Sequence, residues 1–137
     1  MFDTTTDAGK RAAARLKEEE VVWMTTVRSD GQPQTVPVWF LWDEGFLIYS
    51  QPNTQKLKNI SRNSRVGLNL NSDEQGDDVV RLEGMANIDE DAPPSSEVPS
   101  YVEKYREGIA RIGFDVEGFA RSYSVAVRVT PRRWRVW

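Results

Sequence analysis

Histidine and cysteine are both absent from these 137 residues. The first absence removes imidazole bases, imidazole metal ligands and any Ser–His–Asp arrangement. The second removes disulfides, thiolate zinc sites and thiol nucleophiles. A metal site would rest on carboxylates alone, and proton transfer would fall to Asp, Glu, Lys or Tyr. Demanding chemistry remains open to such a chain if a bound coenzyme carries it. An excess of positive charge is missing too: 18 Lys and Arg stand against 21 Asp and Glu, net −3, which argues against a nucleic-acid partner. No run approaches the roughly 20 apolar residues of a membrane helix, so no membrane partner is expected. Met1 to Lys10 is polar, without the apolar stretch of a secretory leader, and the expected location is cytoplasmic.

What is present is an ordinary globular balance, 39% hydrophobic and 28% charged with five Trp, five Phe and four Tyr, in a length that suits one domain. Ala8 to Glu20 is rich in helix formers. From Val21 the period changes to that of strands: Val21–Val27, Thr35–Trp42 and Phe46–Ser50, joined by turns at Asp30-Gly31 and Asp43-Glu44-Gly45, predict an antiparallel meander. Pro37 interrupts the second strand and removes a ladder donor, so that strand is expected at a sheet edge or bulged. Gln55–Arg62 reads as a short helix with Thr54 as its N-cap and Leu57 and Ile60 on one face. Val66, Leu68 and Leu70 mark a fourth strand. Val80, Leu82, Gly84, Ala86 and Ile88 mark the inward side of a fifth. Past an acidic loop at Asp89–Pro94, apolar residues from Val98 to Ile112 recur at helical steps, ended by Gly113 or Gly118. Tyr123 to Val129 predicts a sixth strand, and Trp134 with Val136 a short seventh. The fold class is mainly β, a six- to seven-stranded antiparallel barrel with three peripheral helices, since closure removes exposed edges. One domain covers 1–137: an N-terminal helix in 1–20, barrel strands in 21–88 and 122–137, and a helical insertion at 95–118.

Chemistry concentrates between Val36 and Arg65. A helix N-terminus offers unpaired N–H groups and the positive end of a dipole, which suits a phosphate. Lys56 adds charge there, and Ser50, Gln51 and Thr54 add neutral donors. Beside it, the backbone around Pro37 is left unpaired and can lie against a flat heteroaromatic ring. Each feature also has an ordinary explanation: lysines on a surface helix are solvated, Trp39 and Trp42 are packing residues, and Pro37 protects an edge. The carboxylates Asp73, Glu74, Asp77 and Asp78 lack a calcium-loop pattern and read as a solvated turn, so no metal is expected. The arginines 128, 132, 133 and 135 read as a solvated strand face.

The ordered set Gly31-Gln32-Pro33, Val36-Pro37-Val38-Trp39-Phe40, Asp43-Glu44-Gly45, Tyr49-Ser50, Thr54-x-Lys56-x-x-Asn59-Ile60 and Thr130-Pro131 with Trp134 resembles the flavin- and deazaflavin-binding split β-barrels. This is the superfamily of the pyridoxamine phosphate oxidases, and the likeness runs from Glu20 to Trp137. The resemblance implies a homodimer with its coenzyme at the subunit interface. It implies ring contacts from Val36, Pro37, Val38 and Trp39, chain and phosphate contacts from Tyr49, Ser50 and Gln51, and a phosphate-binding Lys56, with Lys58 and Asn59 on the same element. Gln55-Lys56 in place of the oxidases' Arg-Lys pair, and the missing histidine, argue against pyridoxal phosphate synthesis. The short chain and the Lys56-Leu57-Lys58 element look closest to the branch that uses the deazaflavin coenzyme F420. Lys56, Lys58 and Arg62 would suit that coenzyme's anionic tail. The expected activity is hydride transfer to a small-molecule substrate, with Tyr49 or water as proton source and no catalytic side chain assigned. FMN is the alternative coenzyme. A non-catalytic flavin, deazaflavin or haem carrier is the alternative role.

Overall fold

The computed structural model describes residues Met1–Trp137. Its elements are α1 (Asp7–Glu18), β1 (Val21–Val27), β2 (Pro33–Trp39), β3 (Leu41–Trp42), β4 (Phe46–Ser50), α2 (Gln55–Arg62), β5 (Arg65–Asn69), β6 (Val80–Ile88), α3 (Pro99–Arg111), α4 (Val116–Ser122) and β7 (Val125–Val136), with one 3₁₀ turn at Ser95–Glu97. Seven strands form one antiparallel sheet in the order β2-β1-β5-β6-β7-β4-β3. The two end strands, β2 and β3, are consecutive in the chain, so the sheet must curl until its edges meet at Phe40. This is the expected mainly β, split-barrel architecture.

The alternation seen in the sequence places the barrel core. Val22, Met24, Val66, Leu68, Val80, Leu82, Ala86, Val127 and Val129 point inward, and Leu16 of α1 and Leu57 and Ile60 of α2 close it. A second apolar layer lies between the sheet and α3–α4, formed by Leu47, Tyr49, Tyr101, Tyr105, Ile109, Phe119 and Ala126. The sheet segment at β4 and β7 is thus buried on both faces, and all five residues of β4 are buried.

Four expectations are corrected. The strand Thr35–Trp42 is broken at Phe40, because its backbone bonds to α3 and not to a ladder. Phe40 N–H donates to the Tyr105 hydroxyl at 2.8 Å, while Phe40 C=O accepts from Lys104 Nζ at 2.9 Å. The last two strands are one, β7, because Pro131 sits where the β6–β7 register shifts at Glu83/Gly84, a place where a missing N–H is tolerated. Helices number four, not three: Gly113, with φ of 91°, stops α3, but Gly118 lies inside α4, which Asp115 caps by accepting from Gly118 N–H at 2.6 Å. Ile88 is 38% exposed at the end of β6 rather than inward.

The Phe40 corner gives stability a definite pH dependence. Burial lowers Lys104 from 10.5 to about 8, partly offset by Glu20 and Glu19. Burial pushes the hydroxyls of Tyr101 and Tyr105 well above their ordinary 10.0. The unfolded chain keeps the lysine proton to higher pH than the folded one, so stability rises as pH climbs past about 8. Above about pH 10 the unfolded tyrosines ionise while the folded ones do not, and stability falls. Thermal melts across this range are expected to show a maximum Tm between the two limits, with the rising limb flattened in Lys104→Met.

Candidate functional site

The site begins at the junction of β4 and α2. The chain leaves β4 at Ser50, turns through Asn53 in a left-handed conformation (φ 63°), and enters α2 with Thr54 extended at the N-cap position. The expected side-chain cap is absent: Thr54 makes no such bond, and its hydroxyl lies 3.3 Å from Ser50 Oγ. The first N–H groups of α2 therefore lack the usual side-chain acceptor and keep their affinity for an anion.

The helix is held firmly in place. Asn59 is 1% exposed. Its amide donates to Thr26 Oγ1 at 2.9 Å and to Gln34 Oε1 at 3.1 Å, and accepts from Gln55 Nε2 at 2.8 Å. Arg62 donates to Val27 C=O at 2.7 Å. Both side chains are committed to pinning α2 on β1 and β2. Lys56 is different: it is half-buried, and burial alone lowers its pKa, with neither a carboxylate nor a hydrogen bond compensating. An ammonium in that position gains free energy from any anion placed against it.

Opposite this end lies β2, whose sole strand partner is β1. Pro37 thus stands on an edge, facing Trp23 of β1 in the register. Trp39 turns its indole away under the insertion. It stacks on Tyr105 at 4.7 Å and 9°, and on Phe119 at 5.6 Å and 25°, and Phe119 in turn stacks on Tyr123 at 4.4 Å and 15°. The indole fits because residue 108 is glycine: a Cβ there would meet two Trp39 ring atoms at 3.2 Å. With its side chain occupied, the strand offers the cleft mainly backbone and the Pro37 and Val38 side chains.

Between these walls runs a cleft of about 360 Å³. It brings together Pro37, Val38, Trp39, Tyr49, Ser50 and Lys56. Val36 (38% exposed) lies outside its lining, as do Gln51, whose amide donates to Ser122 Oγ at 3.2 Å, solvent-exposed Lys58, and buried Asn59. Tyr49 presents its ring, since its hydroxyl donates to Pro93 C=O at 2.7 Å. The far wall comes from Tyr101, Arg111, Ile112, Phe119 and Tyr123 of the insertion, none of which the sequence reading placed at a site. Tyr101 and Ile112 carry only a helical-core signal, and helical spacing does not say which surface the helix covers.

No group of three or more acidic side chains is arranged to hold a metal, and no helix is long and apolar enough to cross a membrane. Asp73 folds its own turn, accepting from Gln75 and Asp77 N–H at 2.9 and 2.8 Å. Arg128 pairs with Asp89 at 3.1 Å.

Residues 8–137 match the family described as pyridoxamine 5'-phosphate oxidase. Over 108 residues, 77% of this chain and 78% of the relative, the sequence is 33% identical to the F420H(2)-dependent biliverdin reductase of Mycobacterium tuberculosis (strain CDC 1551 / Oshkosh). The fold is shared with a conserved hypothetical protein of Mycobacterium tuberculosis (TM-score 0.74, 23% identity, 96% of this chain and 85% of that one). It is also shared with the haem storage protein HutZ of Vibrio cholerae (TM-score 0.67, 15% identity, 96% and 95%). The chain belongs to the pyridoxamine 5'-phosphate oxidase family of split β-barrels.

Proposed function

We propose that this protein is an oxidoreductase that binds the deazaflavin coenzyme F420 in the cleft between β2 and α2, with FMN as the alternative coenzyme. The observation that carries the reading is Lys56, a half-buried ammonium with no partner, beside an uncapped helix N-terminus and an edge strand. The 33% identity to an F420H(2)-dependent reductase supports the choice of coenzyme. When bound, such a coenzyme supplies hydride transfer at its flat ring. The chain's own residues bind and orient. Lys56 and the α2 N–H groups would hold the phosphate, and the backbone at Pro37 and Val38 would set the ring plane. The apolar lining would orient the small-molecule substrate against the ring. The substrate's proton would come from solvent, because the Tyr49 hydroxyl is engaged with Pro93.

The protein would act as a homodimer. The outer edge of β2 is unpaired and Val36 is 38% exposed, and a second copy covering that face would close the open side of the cleft. Fluorescence titration of the purified protein with F420 and with FMN is expected to show saturable binding, tighter for F420. Tight FMN binding without F420 binding reverses the order, and binding of neither overturns the proposal.

The likeness to a haem storage protein favours a second reading, a non-catalytic haem carrier. Against it, the chain has no His or Cys, Met24 and Tyr105 are fully buried, and the Tyr49 hydroxyl is bonded, which leaves few axial ligands. Addition of haemin is expected to give no shifted Soret band characteristic of ligated haem.

A further inference from the structure

A buried hydroxyl with no partner is uncommon in folded proteins and calls for a physical reason. Two occur here, Ser95 Oγ and Tyr101 Oη. Tyr101 also borders the cleft. Its side chain is fully buried, and its ring is fixed on three sides. Tyr49 meets it edge-on at 5.0 Å, Tyr105 packs at 4.8 Å, and Phe119 stacks at 6.3 Å. A phenylalanine would make all these ring contacts, so packing does not explain the oxygen. The two neighbouring tyrosines differ in this respect: Tyr49 donates to Pro93 C=O at 2.7 Å, and Tyr105 bonds the Phe40 corner.

We propose that the Tyr101 hydroxyl is a specificity-determining contact that donates a hydrogen bond to an acceptor at the ligand's edge, a ring carbonyl oxygen or ring nitrogen. This rests on the reading of the cleft as a coenzyme site. Tyr101 belongs to the aromatic wall, whereas Lys56 and Ser50 form the anion-attracting end, so its partner is on the heteroaromatic portion and not the phosphate. Burial keeps the hydroxyl protonated far into alkaline pH, which leaves it a neutral donor. The hydroxyl has no solvent-exposed surface in the free protein, so this contact requires neighbouring side chains of the aromatic wall to shift when the ligand enters.

The test pairs Tyr101→Phe with Tyr49→Phe as a control. Without ligand, Tyr101→Phe is expected to melt at or above the wild-type temperature, because it removes a buried group that has no partner, whereas Tyr49→Phe melts lower. Affinity for F420, or for FMN if that is the coenzyme bound, is expected to fall about tenfold in Tyr101→Phe. A clear drop in the unliganded Tm of Tyr101→Phe overturns the proposal, since it means the hydroxyl is already paired inside the protein. Unchanged coenzyme affinity overturns it as well, while leaving the coenzyme reading standing. If the wild type binds neither coenzyme, both fall together.

Discussion

Replacing Lys56 with alanine is expected to weaken coenzyme binding by about 1–3 kcal/mol, roughly five- to 150-fold, without destabilising the free protein. The two halves of that expectation have one cause. In the free protein the ammonium is half-buried, and burial opposes its charge with no compensating carboxylate or hydrogen bond. Truncation therefore removes an unfavourable feature from the unliganded fold and a favourable one from the complex. Because α2 is pinned by Asn59 and Arg62 and not by Lys56, the helix end should stay in place. Isothermal titration and thermal melts of the same variant read the two effects separately. A loss of Tm with unchanged affinity would make Lys56 a structural residue.

Trp39→Ala is expected to produce the largest loss of stability outside the barrel core, about 3 kcal/mol. Its indole links two parts of the molecule. It leaves β2, slots beside Gly108 and stacks between Tyr105 and Phe119, so its removal opens a cavity where α3 and α4 meet the sheet. Affinity for the coenzyme should fall too, because the wall carrying Tyr101 and Tyr123 loses its anchor. Chemical denaturation with a coenzyme titration checks both. A loss below 1 kcal/mol would mean that the insertion docks without the indole.

The sequence showed the strand half of this cleft clearly, and the helical half hardly at all. Pro37 required an edge or a bulge whatever the rest of the fold did, and β2 is an edge. The bounds of α2 followed from its turn residues and the Leu57–Ile60 face. Both are local signals. The far wall depends on where α3 and α4 dock, and nothing within Val98–Ser122 names the outer face of β4 and β7 as their target. Phe40 shows the same limit: an apolar residue inside an aromatic run reads as strand, and only Tyr105 and Lys104, more than sixty residues on, take its backbone out of the ladder. The capping role assigned to Thr54 failed for a local reason, since its hydroxyl faces Ser50. The open helix end that results is what an anion site requires.

A crystal structure of the protein with F420, or with FMN if that binds instead, tests the central claim most directly. The account predicts the ring lying along the backbone at Pro37 and Val38, with a phosphate oxygen within hydrogen-bonding distance of Lys56 Nζ. A coenzyme bound elsewhere on the molecule, with Lys56 still unpartnered, would contradict it.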